Sequence, residues 1–175
     1  MKLTNYIPII SILFINISCT QRPVEPVRQQ SDKKKENLIK INKYLVEVED
    51  YKIDEYNKRN NLSLSKTESG LRYEIFKKGK GEKIKKNSIV LFNYRVQLID
   101  GTLCYSSDSL GMRRISINHE AEEKGLQEGL ELLSVGDSAI FIVPSHLGYG
   151  LLGDNKCIPP RAILVYFVKV IGIEK

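Results

Sequence analysis

Apolar residues recur along this chain at two periods, three-to-four and two, and together these lay out its elements. Leu38, Ile41, Leu45 and Val48 fall on one helical face, which predicts a helix over residues 36–60 that ends at Asn60-Asn61. Residues 71–77 form a first strand, and Gly79-Lys80-Gly81 turns the chain. Over residues 89–99 the period is two, with Val90, Phe92, Tyr94, Val96 and Leu98 on one face, and Asp100-Gly101 supplies a hairpin turn. Residues 102–107 return, and residues 113–117 continue the sheet. Leu126, Leu130 and Leu133 restore helical spacing, with Gly125 and Gly129 narrowing that helix on one side. A glycine inside a helix costs about 1 kcal/mol, so the pair predicts a close neighbour, a sheet. Gly136-Asp137 stops the helix. A strand follows over 138–143, and residues 163–171 are apolar on both faces, as a central strand would be. The predicted class is α+β, an antiparallel curved sheet of five or six strands wrapped over one short helix and preceded by an N-terminal helix.

The ends of the chain add compartment and partners. Lys2 precedes an apolar run, residues 6–17, too short to span a bilayer but suited to a signal peptide. It closes on Ile17-Ser18-Cys19, which resembles a bacterial lipoprotein cleavage site with Cys19 as the lipidated residue, although Asn16 stands where an aliphatic residue is usual. An ordinary exported protein or an uncleaved anchor is the alternative. The expected layout is a signal peptide over 1–18, a flexible tether over 19–35, the N-terminal helix and its connector over 36–69, and one domain over 70–175. The helix either docks on that domain or forms a dimerising coiled coil; its apolar face is short for the second, and oligomeric state stays open.

Net charge is +6, with 27 Lys and Arg against 21 Asp and Glu. The lysines read as spread among the acids with no basic, aromatic-rich face, so nucleic acid is not an expected partner. The run Lys33-Lys34-Lys35 reads as a solvated spacer, with anionic membrane as its alternative contact. There is no Ser-His-Asp arrangement and no metal spacing among two histidines. His119 reads as solvated or capping, while His146 either rims a pocket or orients its loop. Gly79-Lys80-Gly81 lacks the Lys-Ser/Thr and helix of a phosphate loop.

Short motifs then recur in a fixed order: Leu98-Ile99-Asp100-Gly101-Thr102, Ser106-Ser107, Gly125-Leu126-Gln127-Glu128-Gly129 and Val135-Gly136-Asp137. Pro144-Ser145-His146-Leu147, Tyr149-Gly150, and Ile158-Pro159-Pro160 through Leu164-Val165-Tyr166 complete them. Together they resemble FKBP-type peptidyl-prolyl isomerases over residues 70–174. Leu103-Cys104-Tyr105-Ser106-Ser107 and Gly150-Leu151-Leu152-Gly153-Asp154 narrow the likeness to the lipoprotein isomerases associated with gliding motility in Bacteroidetes. The resemblance implies catalysis by Tyr149, its hydroxyl on the substrate carbonyl, and by Tyr94. It implies a pocket lined by Cys104, Tyr105, Leu126, Ile158 and Tyr166, no cofactor or metal, and proline-containing exported polypeptides as substrates.

Such chemistry needs no nucleophile. The X–Pro bond turns over a barrier of about 20 kcal/mol through a twisted amide that is less polar than the planar one, so a dry apolar pocket disfavours the ground state more. Three departures bear on activity. Cys104 and Tyr105 replace an aromatic and an aspartate, Leu126 replaces an aromatic floor, and Glu122-Glu123 stand where an apolar pair is usual. Each lost ring contact is worth about 0.5–1.5 kcal/mol. Reduced turnover, or a module that binds proline segments without isomerising them, is therefore the rival expectation, and a structural lipoprotein that kept only the fold is a third. Cys104 and Cys157 both map beside the pocket, either as two small buried thiols or as a bond that stiffens its mouth.

Overall fold

The computed structural model describes residues 27–118 and 123–174. From the N-terminus the elements are α1 (Val27–Asn60), β1 (Ser65–Lys66), β2 (Arg72–Lys77), β3 (Ile89–Leu98), β4 (Leu103–Ser106), α2 (Ser107–Leu110), β5 (Arg113–Ser116), α3 (Lys124–Glu131), β6 (Ser138–Val143) and β7 (Leu164–Glu174). The chain divides into two units, Met1–Ile39 and Lys40–Lys175. Of the first, the described part is the opening of α1, where Leu38 and Ile39 are exposed. Everything that follows concerns the second.

All strands join one antiparallel sheet in the order β1-β2-β6-β7-β3-β4, with β5 pairing the first half of β3. It has seven strands rather than five or six, the addition being the two-residue β1 at the edge. Strand β7 lies between β6 and β3, and this accounts for its apolar run, because both of its faces are covered. On one face Leu164, Tyr166, Val168 and Val170 join Phe141 and Val143 of β6 against Leu126 and Leu130 of α3. On the other Val165 joins Ile140, Ile142 and Ile163 around Ile53 of α1. The two-residue period thus sorts one strand into two cores.

The α3 glycines do what their spacing predicts. A Cβ on Gly125 would stand 2.6 Å from Val143 Cγ1, and one on Gly129 2.7 Å from Phe141 Cε2. Any larger residue would push the helix off the sheet. The helix ends at Glu131, ahead of Gly136-Asp137, since the Asp137 carboxylate accepts from Ser134 N–H at 2.8 Å and from Gly79 N–H at 2.6 Å and folds the intervening turn.

Two expectations for the N-terminal segment are corrected. Helix α1 begins at Val27, inside the stretch read as tether, because after Pro26 residues 27–35 hold no glycine or proline and are rich in Arg, Gln and Lys, good helix formers. Its apolar face is in the expected phase, but Ile41 is exposed and docking starts at Leu45 and centres on Ile53, which is fully buried. That side chain contributes about 1.5–3 kcal/mol. The signal peptide, Cys19, Glu122 and His119 lie outside the described residues.

Candidate functional site

The residues expected to line a pocket meet. Buried Leu126, Ile158 and Tyr166, with half-buried Tyr94, Cys104, Tyr105 and Tyr149 packed against them, belong to one hydrophobic cluster. Tyr166 comes from β7, Tyr94 from β3, Cys104 and Tyr105 from β4, and Leu126 from α3. Tyr149 and Ile158 come from the loop over residues 144–163, which roofs the cluster.

That roof is a fixed structure. Gly150 and Gly153 take φ of 59° and 69°, and a Cβ on Gly153 would lie 2.2 Å from the Ile158 carbonyl. Only glycine passes there without strain. Asp154 Oδ1 accepts from the Lys156 and Ile158 amides at 2.9 and 2.8 Å, closing the turn before Pro159. A disulfide and several side-chain contacts hold the loop to the body. Cys157 is disulfide-bonded to Cys104, their Cα atoms 5.4 Å apart, so of the two readings for these cysteines the bonded one is found. The Tyr105 hydroxyl donates to Asp154 Oδ2. From α1, Glu49 Oε2 accepts from Ser145 N–H at 3.0 Å, and its Oε1 accepts from Ser145 Oγ and Arg161 Nη2, both at 2.7 Å. One buried carboxylate therefore pins both ends of the loop.

The polar chemistry of the site converges on Glu123, at the start of α3. Its Oε1 accepts from the hydroxyls of Tyr149 at 2.5 Å and Tyr166 at 3.1 Å, and its Oε2 accepts from Arg113 Nη2 at 2.9 Å. Burial alone would raise this carboxyl, but the Arg113 charge and the Tyr149 hydrogen bond outweigh it and hold Glu123 below its ordinary value. Tyr149 is pushed well up by burial and by the hydrogen bond and charge of Glu123, and Tyr166 is raised by burial and the same charge. The carboxylate missing at position 105 thus returns from another element. Tyr105 is raised by its hydrogen bond to Asp154.

A phenol has one proton to donate. That of Tyr149 lies on Glu123 rather than facing the cluster, and reaching a substrate carbonyl requires this contact to open. Tyr94 sits mid-strand with its ring 6.0 Å from that of Phe92, and its backbone N–H and carbonyl both engage Ser107 Oγ. Its hydroxyl makes no hydrogen bond among the described residues. His146 points away from the cluster, its Nε2 3.0 Å from the Ser69 carbonyl oxygen, and so anchors the loop. Among the described residues no group of three or more His, Cys, Asp or Glu is placed to hold a metal.

Glu123, Arg113, Asp154 and Glu49 were not foreseen as site residues. Only Glu123 left a signal, as an acid at a position expected to be apolar. A cavity of about 360 Å³ lies elsewhere, between α1 and the far side of the roof, lined by Leu45, Val48, Leu98, Ile99, Pro159 and Pro160 among others. Its polar lining includes Glu49 and Arg161, which are paired with each other in holding the roof loop, and the chemistry favours the tyrosine cluster as the site.

Comparisons with known proteins identify a family and a fold. Residues 80–171 match the family model for FKBP-type peptidyl-prolyl cis-trans isomerase. The chain is 36% identical over 160 residues to the FKBP-type isomerase FkpA of Aeromonas hydrophila, covering 89% of this chain and 59% of that protein. It is 39% identical over 107 residues to a probable FkpA of Neisseria meningitidis, covering 61% of this chain and 39% of the other. The chain thus spans between 39% and 59% of these curated relatives. The crystal structure of FkpA from Escherichia coli superposes with a TM-score of 0.63 at 26% identity, covering 84% of this chain and 68% of that one. A Pseudomonas syringae isomerase shares the fold at a TM-score of 0.65 and 19% identity, over 76% of this chain and 96% of that one.

Proposed function

The chain belongs to the FKBP-type peptidyl-prolyl cis-trans isomerase family, and on that premise we propose that it turns X–Pro bonds in exported polypeptides at a bacterial cell envelope. The observation that carries this reading is the convergence of Tyr94, Leu126, Tyr149, Ile158 and Tyr166 in one apolar cluster under the roof loop. The proline ring enters among Leu126, Tyr166 and Ile158, and the preceding carbonyl leaves water as it binds. Losing that solvation disfavours the polar planar amide, and the Tyr149 hydroxyl, swung from Glu123, meets the carbonyl as it rotates. No covalent intermediate forms, and no proton changes hands.

The test is a protease-coupled assay on a proline peptide. Tyr149→Phe is expected to lower kcat/KM by roughly twofold to tenfold, the value of one hydrogen bond. Tyr94→Ala should lower it further by removing a wall. A wild-type rate equal to the uncatalysed one would refute catalysis. One observation favours a second reading, a module that holds proline segments without turnover: the resting Tyr149 proton is already engaged. Peptide binding without rate enhancement would select it.

We place the protein in the envelope on the strength of its leader, with lipid on Cys19, and as a relative of the gliding-associated isomerases of Bacteroidetes on the motif at residues 103–107. Metabolic labelling with a fatty-acid analogue should mark the wild type and spare Cys19→Ser; equal labelling would remove the anchor.

A further inference from the structure

The net charge of this protein is not evenly spread, contrary to the first impression from composition. Residues 77–86, reading KKGKGEKIKK, contain six lysines and a single glutamate, a net +5 against +6 for the whole chain. Lys77, Lys78, Lys80, Lys83, Lys85 and Lys86 are all exposed, and none is in an ion pair or side-chain hydrogen bond among the described residues. Four arginines behave otherwise: Arg72, Arg113, Arg114 and Arg161 each hold a carboxylate.

The segment carrying these lysines is rigid. Gly81 N–H donates to the Val135 carbonyl at 3.1 Å, Val135 N–H to that of Glu82 at 2.9 Å, and Ile84 N–H to that of Leu133 at 3.0 Å. Ile84 is plugged into the core, and Gly79 and Gly81 press so closely on Val135 that a Cβ on either would clash. Asp137, the acid in contact with the segment, is buried and occupied by two amides. Beside the lysines, at the end of β2, Phe76 stands 58% exposed.

We propose that this face is a docking surface for anionic phospholipid, separate from any lipid on Cys19 and independent of catalysis. Unpaired ammonium groups carried on a well-held backbone next to one exposed aromatic ring match a headgroup layer with the ring entering the acyl boundary. Nucleic acid is the poorer fit, since the segment has no arginine for bidentate phosphate contacts and no series of rings for stacking. Position supports the choice. The segment binds the turn leading into β6, whereas the roof loop leaves the other end of that strand, roughly 17 Å away at the usual rise per residue. Docking through the lysines turns the tyrosine cluster away from the bilayer, toward polypeptide arriving from solvent.

The test uses the full chain and vesicles of phosphatidylcholine, alone or mixed with phosphatidylglycerol, and reads the ratio of binding to the two. Each lysine near an anionic surface is worth about fivefold. Replacing Lys80, Lys83, Lys85 and Lys86 together by alanine should lower the ratio at least tenfold. Phe76→Ser should weaken binding to both vesicles, and added salt should bring the wild-type ratio toward one. The leader is common to all variants, so differences between them belong to the patch, and an unchanged peptide-isomerisation rate shows that the fold is intact. A ratio that survives the quadruple replacement overturns the proposal, as does tighter binding to duplex DNA than to the anionic vesicles at the same salt. Loss of isomerase activity in the wild type would bear on the proposed function and leave this one standing.

Discussion

The proton on Tyr149 is shared with Glu123, so the residue most suited to meet a twisting amide is also the one most firmly engaged. Glu123→Gln keeps the shape and removes the charge. It is expected to raise kcat/KM roughly fivefold, the factor corresponding to about 1 kcal/mol of competing hydrogen bond, while lowering stability by about 1–3 kcal/mol through the weakened Arg113 contact. The gain should vanish in the double variant with Tyr149→Phe. A fall in rate at unchanged Tm would instead make Glu123 an orienting residue. Tyr94 was legible from the alternation of its strand, and the other lining side chains because each sits in one of a series of short motifs in fixed order. The contacts of Glu123 were not, because Arg113, Tyr149 and Tyr166 reach it from three elements whose approach only the folded sheet defines.

Helix α1 does more than cover the sheet. Through Glu49 it secures Ser145 and Arg161, and Arg161 N–H in turn donates to the Gly150 carbonyl at 2.8 Å, next to Tyr149. Glu49→Ala should cost about 1–3 kcal/mol by orphaning those donors and should speed amide hydrogen exchange over residues 145–161 while sparing α3. Protection that stays unchanged would mean that the disulfide and the Tyr105–Asp154, Tyr149–Glu123 and His146–Ser69 contacts suffice to hold the roof. Helical phase predicted which side of α1 docks, yet not where docking begins: Ile41 obeys the same period as Leu45 but remains exposed, at 53%. Periodicity records a face, and only the partner surface decides how much of that face is used. The start of α1 escaped for a related reason, as polar helix formers without an apolar stripe read as spacer.

Over the molecule as a whole, the titrating groups of the site leave the neutral range clear. Glu123 lies below its ordinary 4.5, so it favours the folded state fully above about pH 4.5 and loses that effect as pH falls through its lowered value. Tyr149 and Tyr166 lie above their ordinary 10.0, so their contribution holds below pH 10 and is lost as pH rises through their raised values. kcat/KM is therefore expected to be level between about pH 6 and 9, unlike a general acid–base enzyme. A bell-shaped profile in that window would put a proton transfer into the reaction. The margins of the sheet have a further consequence. One margin ends in the two-residue β1, and the other is divided between the four-residue β4 and β5, the latter bearing Arg113 and Arg114. Neither offers a long, uncharged ladder onto which a stray extended chain could zip. An isomerase acting on half-made polypeptides, as proposed above, is thereby spared from becoming the seed on which they congeal.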